Sequence, residues 1–199
     1  MSLLILCGFV PLAWQIALRA AIRRGVSLGA FPSLWAALAI VAALTANVFG
    51  HADERSAVAV EAIAVAAVVD LRSGYIFDPV VAAGLICTLG FGLLEGRGFE
   101  TIIGAFVGSA LLMTVRLASR SRGLGLGDVK LGAVLGAGLG PAEAVLALGM
   151  AFVIGGAVAA LLLAAGKVRP GTPLRFGPYL LAGILSVLSY HQRNTGVIP

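Results

Sequence analysis

Residues 144–165 read AVLALGMAFVIGGAVAALLLAA, a run of apolar residues and glycines that contains no charge. At 1.5 Å per residue, a helix of this length covers about 33 Å, which is enough to cross the ~30 Å hydrocarbon core of a bilayer. The rest of the chain has the same character, because 60% of its 199 residues are hydrophobic and only 12% are charged. A soluble domain carries roughly twice that share of charge. The composition therefore predicts an integral membrane protein.

Seven further apolar blocks accompany this run, and together they predict an all-α fold, a polytopic transmembrane bundle of about eight (six to eight) helices. Three blocks of about 12–13 residues are too short to span unaided. Each of them must extend into its flanking loops, be shielded from lipid by other helices, or be a re-entrant segment that enters and leaves the bilayer on the same side. No linker divides the chain, so residues 1–199 are predicted to form one membrane domain. The blocks are roughly Leu3–Leu18, Val26–Gly50, Ala57–Val69, Pro79–Leu94, Thr101–Val115, Asp128–Leu139, Ala144–Ala165 and Pro178–Tyr190.

The basic residues indicate the orientation of the chain. If the first connection is cytoplasmic, that side collects most of the Lys and Arg residues, as cytoplasmic loops do. Both termini are then predicted to face outward, and the net charge of +5 is explained without nucleic acid as a partner. The cytoplasmic set is Arg19, Arg23, Arg24, Arg72, Arg116, Arg120, Arg122, Lys130, Lys167, Arg169 and Arg175; the outer set is Arg55, Arg97 and Arg193, with the acids Asp53, Glu54, Glu95, Glu100 and Glu143.

Four acids remain, and acids within membrane segments are costly and mark functional sites. They are Glu61, Asp70, Asp78 and Asp128. Asp70 ends the third block, at the predicted cytoplasmic end of its helix, where a negative charge opposes the helix dipole. A capping role would favour a basic residue at that position. Asp70 is therefore a candidate functional residue.

Asp128 opens the sixth block, in GLGLGDVKLGAVLGAGLG (residues 123–140). A helix N-terminus favours an anion, so a structural acid is one interpretation. The surrounding glycines favour a functional one, because they leave the approach to Asp128 free of side chains. They also form a stripe on its face of the helix, where a second helix can come close. The glycines are Gly123, Gly125 and Gly127 before Asp128, Gly132, Gly136 and Gly140 after it, and Gly104 and Gly108 on the predicted partner helix.

Asp70 and Asp128 are predicted at the same membrane depth on different helices. Like-charge repulsion and partial desolvation raise one pKa of such a pair, so that it can hold one proton between its two carboxyls. The ionised member can take a proton from a bridging water, and the protonated member can polarise the scissile carbonyl. This is peptide hydrolysis without a metal, a cofactor or a covalent intermediate. The two roles are not divided between the residues, because the pair titrates as a unit.

The other polar residues have structural interpretations. Asp78 precedes Pro79, which together predict a helix start with Asp78 as N-cap. Glu61 lies nine residues before Asp70, about 180° around the helix, and is predicted to be a neutral or hydrogen-bonded structural acid. Lys130 is either one more inward-side cation or a group that tunes the aspartates or meets an acidic group on the substrate. No cluster of metal ligands is present in the sequence pattern.

Three stretches resemble, in order, the motifs of type IV prepilin peptidases, which are membrane GxGD aspartic proteases. Residues 68–79, VVDLRSGYIFDP, resemble their first-aspartate motif, although Phe77 stands where the family usually has proline. Residues 125–137, GLGDVKLGAVLGA, resemble their second-aspartate motif. Residues 173–183, PLRFGPYLLAG, resemble their late segment with a Phe-Gly-Pro core. A single GxGD motif is weak evidence for this family, but three motif matches in the family's order are specific evidence.

The resemblance implies that Asp70 and Asp128 are the catalytic aspartates, with Gly125, Gly127 and Lys130 as the supporting motif. It also implies a substrate class, pilin-like or pseudopilin precursors, cut at the cytoplasmic face of the inner membrane after a short basic leader that ends in glycine. Long family members carry a cytoplasmic insertion with two CxxC pairs, thought to bind zinc. This sequence contains no such pairs and resembles a compact form with the peptidase alone.

Two other interpretations use the same acids. A transporter or channel could employ them as proton or cation sites, since intramembrane acids and glycine-rich helices suit transport. Its sites would lie near the bilayer midplane. A non-catalytic membrane subunit of a secretion machine would not require the two aspartates. The predicted position of Asp70 and Asp128 at the inner edge favours the peptidase.

Overall fold

A computed structural model describes residues 53–119, 124–169 and 175–194, together with Gln15 and Arg19. Within these residues every regular element is an α-helix, which confirms the all-α class for the described part of the chain. The blocks Leu3–Leu18 (apart from Gln15) and Val26–Gly50 lie outside it, so the count of eight stays a prediction. The six described helices are α1 (Glu54–Ser73), α2 (Asp78–Leu94), α3 (Gly98–Ala118), α4 (Leu126–Leu139), α5 (Pro141–Ala164) and α6 (Gly177–Asn194).

The three short blocks have two different outcomes. The third and eighth extend into their flanks, because α1 has 20 residues and α6 has 18. The sixth stays short, since α4 has 14 residues, but it is buried almost completely from Asp128 to Leu139. The other helices therefore shield α4. Among the described helices, α3 and α5 are long and apolar enough to cross a membrane, by length and composition.

Helix α4 lies in the centre of the bundle because glycines let α3 approach it closely. A Cβ atom added at Gly104 would overlap the carbonyl oxygen of Gly136, and one added at Gly108 would overlap that of Gly132. The two backbones are thus in direct contact, as in small-residue helix pairs of membrane proteins. This confirms the predicted partnership between the GxxxG pair of α3 and the glycine stripe of α4.

Helix α1 packs against α4 on a second face. A Cβ added at Gly138 of α4 would overlap the side chain of Ala59, and one at Gly84 of α2 would lie 2.5 Å from the Cβ atom of Ala62. Most residues of α1 between Ala57 and Val69 are less than 8% exposed. Small side chains therefore bring α1, α2 and α4 together as closely as glycines bring α3 to α4.

A cluster of charged and polar side chains ties one end of the bundle together. Arg55, which is 1% exposed, donates hydrogen bonds to Thr101 at 3.2 Å and to Glu100 at 3.4 Å. Arg97 pairs with Asp53 at 2.5 Å and with Glu100 at 2.8 Å. The Arg55 cluster, as we call it, consists of Asp53, Arg55, Glu95, Arg97, Glu100 and Thr101. It joins the start of α1 to the connection between α2 and α3.

We expect the α3–α4 contact to tolerate no side chain. Gly136→Ala places a methyl group on the backbone of Gly104 and should lower the free energy of unfolding by ~1–3 kcal/mol or more. Gly149→Ala in α5 is the matched control, because nothing lies within 4 Å of an added Cβ there and Ala suits a helix better than Gly. Thermal unfolding of both variants in detergent measures the difference. Equal stability of the two would contradict the packing described here.

Candidate active site

Asp70 lies in the last turn of α1 and points into the bundle. The helix ends at Gly74, whose left-handed backbone (φ 69°) lets its N–H bond the carbonyl oxygen of Asp70 at 2.8 Å. The Asp70 side chain is buried, and its Oδ2 accepts a hydrogen bond from the N–H of Gly177 at 3.4 Å. A Cβ at residue 177 would lie 3.1 Å from that oxygen. Gly177 thus lets the first turn of α6 come close to the carboxyl group.

Asp128 lies in the first turn of α4, where it closes the start of its own helix. Its Oδ2 accepts the N–H of Gly125 at 2.9 Å, and Gly125 is the N-cap residue. The side chain is 7% exposed. Its other oxygen, Oδ1, is buried and has no hydrogen-bond partner within the described part of the chain. A buried carboxylate oxygen without a partner is costly, so this atom is available to a further polar group.

The structure brings Asp70 and Asp128 together. They come from different helices, and they are close enough for the negative charge of one to act on the other. The pair lies at the end of the bundle remote from the Arg55 cluster, since Asp70 is 15 residues, about 22 Å, along α1 from Arg55. Two buried carboxyls at one site resist being ionised together. The two carboxyls therefore lie in the same region of the bundle, while their action as a catalytic pair stays a prediction.

One arginine stands beside each aspartate. Arg116 of α3 donates a hydrogen bond to the carbonyl oxygen of Leu124, directly before Gly125. Arg175 donates to the carbonyl oxygen of Leu71, directly after Asp70. Each guanidinium also attracts the nearby carboxylate, Arg116 that of Asp128 and Arg175 that of Asp70. The arginines thus hold the backbone segments that carry the site.

These arginines and Gly177 were not among the predicted site residues. Arg116 and Arg175 were counted only as orientation signals, and they lie 12 and 47 residues from Asp128 by their numbers in the sequence. Nothing in a one-dimensional pattern says which loop carbonyl an arginine will reach. Gly177 is the central residue of the Phe-Gly-Pro core in the late segment. That motif could have indicated that Gly177 belongs to the site.

Lys130 and Asp78 form a pair of their own. The Nζ atom of Lys130 donates to Oδ1 of Asp78 at 2.7 Å, and both side chains are about half exposed. The predicted N-cap role of Asp78 is wrong by one residue, because α2 begins at Asp78 and Phe77 is its N-cap. No side chain caps the start of α2, and the carboxylate of Asp78 pairs with Lys130. Lys130 therefore contacts an acid of its own chain at the edge of the site.

Glu61 is buried in the middle of α1, on the side opposite Asp70. It is 2% exposed, and neither of its carboxyl oxygens has a hydrogen-bond partner among the described residues. The hydrogen-bonded form of the prediction is thus not observed in this part of the chain. Glu61 does not join the dyad, which we define as Asp70 and Asp128.

Comparison with known proteins gives one family. The sequence pattern of the type IV leader peptidase family matches residues 57–160, a range that includes both aspartates. A protein of Burkholderia pseudomallei strain 1026b named prepilin leader peptidase/N-methyltransferase is 30% identical over 203 residues, covering 92% of this chain and 65% of that protein. A protein of the same name from Stutzerimonas stutzeri is 36% identical over 115 residues, covering 55% of this chain and 39% of that protein.

The match does not extend over the whole of these relatives, because the chain spans 65% of the length of the Burkholderia protein and 39% of that from Stutzerimonas. A third protein of that name, from Pseudomonas putida, is 39% identical over 94 residues, covering 45% of this chain and 33% of its own length. No solved structure shows significant similarity to the chain.

We expect the Lys130–Asp78 pair to contribute little to stability, because both side chains are exposed to solvent or headgroups. A double-mutant cycle with Lys130→Gln and Asp78→Asn should give a coupling free energy of ~0.2–1 kcal/mol. The coupling should weaken further in 1 M salt, where the screening length is about 3 Å. Unfolding of the four proteins in one detergent supplies the measurement. A coupling several times larger, or one that salt leaves unchanged, would contradict an exposed pair.

Proposed function

The chain belongs to the type IV leader peptidase family, and on that basis we propose that it is a membrane aspartic endopeptidase that cleaves pilin-like precursors. The dyad carries the proposal, because two buried carboxyls from different helices lie at one end of the bundle, near enough for the charge of one to act on the other. In this proposal the substrates are prepilin or pseudopilin precursors, and the product is the shortened protein. The names of the relatives, which include "prepilin leader peptidase", support that substrate class.

The chemistry follows from a single proton shared by the dyad. Burial and mutual repulsion oppose the doubly ionised pair, so the working form has one carboxylate and one carboxyl. The carboxylate takes a proton from water while the water oxygen adds to the scissile carbonyl carbon, and the carboxyl protonates the carbonyl oxygen. The resulting diol then loses the amine: its nitrogen receives a proton from the pair as the C–N bond breaks, and one diol hydroxyl gives its proton to the ionised carboxylate as the new carboxylic acid forms. One proton remains on the dyad at the end of the cycle.

The unsatisfied oxygen of Asp128 suits this scheme. Because Oδ2 is already occupied by the N–H of Gly125, Oδ1 is the atom left to bind water or to hold the shared proton. Asp70 is restrained in the same way by the N–H of Gly177. The two backbone donors fix the orientation of both carboxyls, which reduces the reorganisation required during the reaction.

The position of the dyad supports cleavage at the cytoplasmic face of the inner membrane. Asp70 is in the last turn of α1 and Asp128 in the first turn of α4, whereas transport sites lie near the bilayer midplane. The basic residues Arg116, Lys130 and Arg175 belong to the same end of the bundle as the dyad. Basic residues mark cytoplasmic ends of membrane helices, so we assign the dyad to the cytoplasmic side.

Removal of either carboxylate should stop the reaction. Asp70→Asn and Asp128→Asn should each lower precursor cleavage by ~10²–10⁴-fold while the protein still folds. Glu61→Gln is the matched control, since it also changes a buried acid to its amide but lies on the opposite side of α1. The assay co-expresses each variant with a pilin-like precursor and follows the loss of the leader by gel shift. Full cleavage by either aspartate variant would contradict the proposal.

Arg116 should act as a positioning residue. Arg116→Gln removes the hydrogen bond to Leu124, so the segment that orients Asp128 loosens and kcat should fall by roughly tenfold to hundredfold. KM should change little, because the altered contact is not made with substrate. Lys167→Gln removes an exposed cation of the same predicted side and should leave both constants unchanged. A rise in KM with normal kcat would instead place Arg116 in substrate binding.

A further inference from the structure

Arg175 lies directly before α6 and covers the end of α1, the helix that carries Asp70. Its guanidinium donates a hydrogen bond to the carbonyl oxygen of Leu71, 104 residues away in the sequence. A Cβ added at Gly74, the left-handed residue that ends the helix, would lie 3.8 Å from Nη2 of Arg175 and 4.0 Å from its Nε. The guanidinium thus spans the last turn of α1 from Leu71 to Gly74, while the arginine stays exposed.

The end of α1 is an unfavourable place for a carboxylate. The last carbonyl groups of a helix have no partner within it, and together they give that end a partial negative charge. The Leu71 carbonyl is one of these groups, and it directly follows Asp70 in the chain. A cation here favours both the carbonyl group and an ionised side chain beside it. Arg175 supplies that cation from a distant part of the sequence.

Asp70 receives less support from its backbone neighbours than Asp128 does. Asp128 lies in the first turn of α4, the end of a helix that favours an anion, and it accepts its N–H at 2.9 Å. Asp70 lies at the opposite kind of helix end, and the nitrogen of its donor, Gly177, is 3.4 Å away. That distance exceeds the range of about 2.7–3.2 Å in which such bonds are strong. The ionised form of Asp70 therefore depends more on a charged neighbour.

The other charges on the elements packed around Asp70 either cancel or act in the opposite direction. Lys130 of α4 is paired with Asp78 of α2 at 2.7 Å, so their net effect on Asp70 is small. Asp128 of α4 carries a like charge, which opposes ionisation of both members of the dyad together. The guanidinium of Arg175 attracts the Asp70 carboxylate. Within the described part of the chain, Arg175 is therefore the cation that favours an ionised Asp70.

We propose that Arg175 is a positioning residue that keeps Asp70 ionised, and so allows the dyad to reach its singly protonated state at lower pH. The proposal rests on the proposed peptidase function and deepens it. In this scheme Arg175 does not touch the substrate, because it acts through Asp70 and the last turn of α1. Its positive charge is the property that matters, so removal of that charge should change the pH dependence of cleavage.

The test compares the pH dependence of kcat in the full-length protein and three variants. Arg175→Gln removes the charge but keeps an N–H donor for the Leu71 carbonyl, and Arg175→Lys keeps the charge. Lys167→Gln is the matched control, because it removes one exposed positive charge from the same predicted side of the membrane. All four proteins are assayed in one detergent on the same saturating precursor, so that titration of the precursor affects them equally.

The acid limb of the profile, where activity rises as the dyad loses its first proton, should move to higher pH by about one unit in Arg175→Gln. The direction follows because loss of a nearby positive charge makes the carboxylate less favourable, so that a lower proton concentration is needed to form it. One unit is the low end of the range for a carboxylate beside an arginine, since this guanidinium is exposed. Arg175→Lys and Lys167→Gln should keep the acid limb of the wild type.

The wild-type profile in 1 M salt is a second measurement that needs no substitution. The screening length falls from about 10 Å at 0.1 M to about 3 Å at 1 M, which weakens the attraction by the exposed guanidinium. The acid limb of the wild type should therefore also move to higher pH, and that of Arg175→Gln should move less. Equal movement of the two proteins, or none in the wild type, would contradict the proposal.

Three results with the variants would overturn the role of Arg175. They are an unmoved acid limb in Arg175→Gln, an equal loss of activity at every pH in both Arg175 variants, and an equal shift in Lys167→Gln. The peptidase proposal is tested separately by Asp70→Asn and Asp128→Asn. If cleavage requires both aspartates and its acid limb ignores Arg175, only the role of Arg175 fails; if cleavage does not require them, both proposals fail.

Discussion

The close backbone contact between α3 and α4 is the constraint on which the site depends. Helix α4 is too short to cross a bilayer by itself, and it is held in the centre because Gly104 and Gly108 lie directly against Gly136 and Gly132. Contact at this range leaves no room for side chains and gives dense van der Waals packing, the main source of helix association where lipid is as apolar as protein. Asp128 stands on the first turn of this fixed helix, so its position follows from the contact.

The remainder of the site depends on two backbone segments, one beside Asp70 and one beside Asp128, that are held in place by hydrogen bonds. Each carboxyl accepts a backbone N–H, and each segment is held in turn by an arginine through a carbonyl oxygen. The arginines also offset part of the cost of placing two acids at one buried site. At the opposite end, the Arg55 cluster fastens α1 to the α2–α3 connection. Stability and chemistry therefore use charged groups at separate ends of the bundle.

Patterns that repeat along the helix were sufficient to predict a large part of this arrangement. The spacing of the glycines identified the α3–α4 contact, and the unusual place of Asp70 at a helix C-terminus identified it as a site candidate. The start of α2 was misplaced by one residue, and the pairing of Asp78 with Lys130 was not predicted because the two lie 52 residues apart. Arg116, Arg175 and Gly177 were missed for the same kind of reason. Their roles depend on contacts between distant segments, which periodicity and charge counts do not encode.

The two aspartates differ in when their surroundings become complete during biosynthesis. Asp128 receives its N–H donor from three residues upstream, so its geometry exists once α4 has formed. Asp70 accepts its hydrogen bond from the N–H of Gly177, 107 residues downstream, at the start of the last described helix. A nascent chain that has not yet inserted α6 thus holds only half of the arrangement. Under the proposed function, cleavage would therefore require α6 to have docked, so that the geometry around Asp70 is complete.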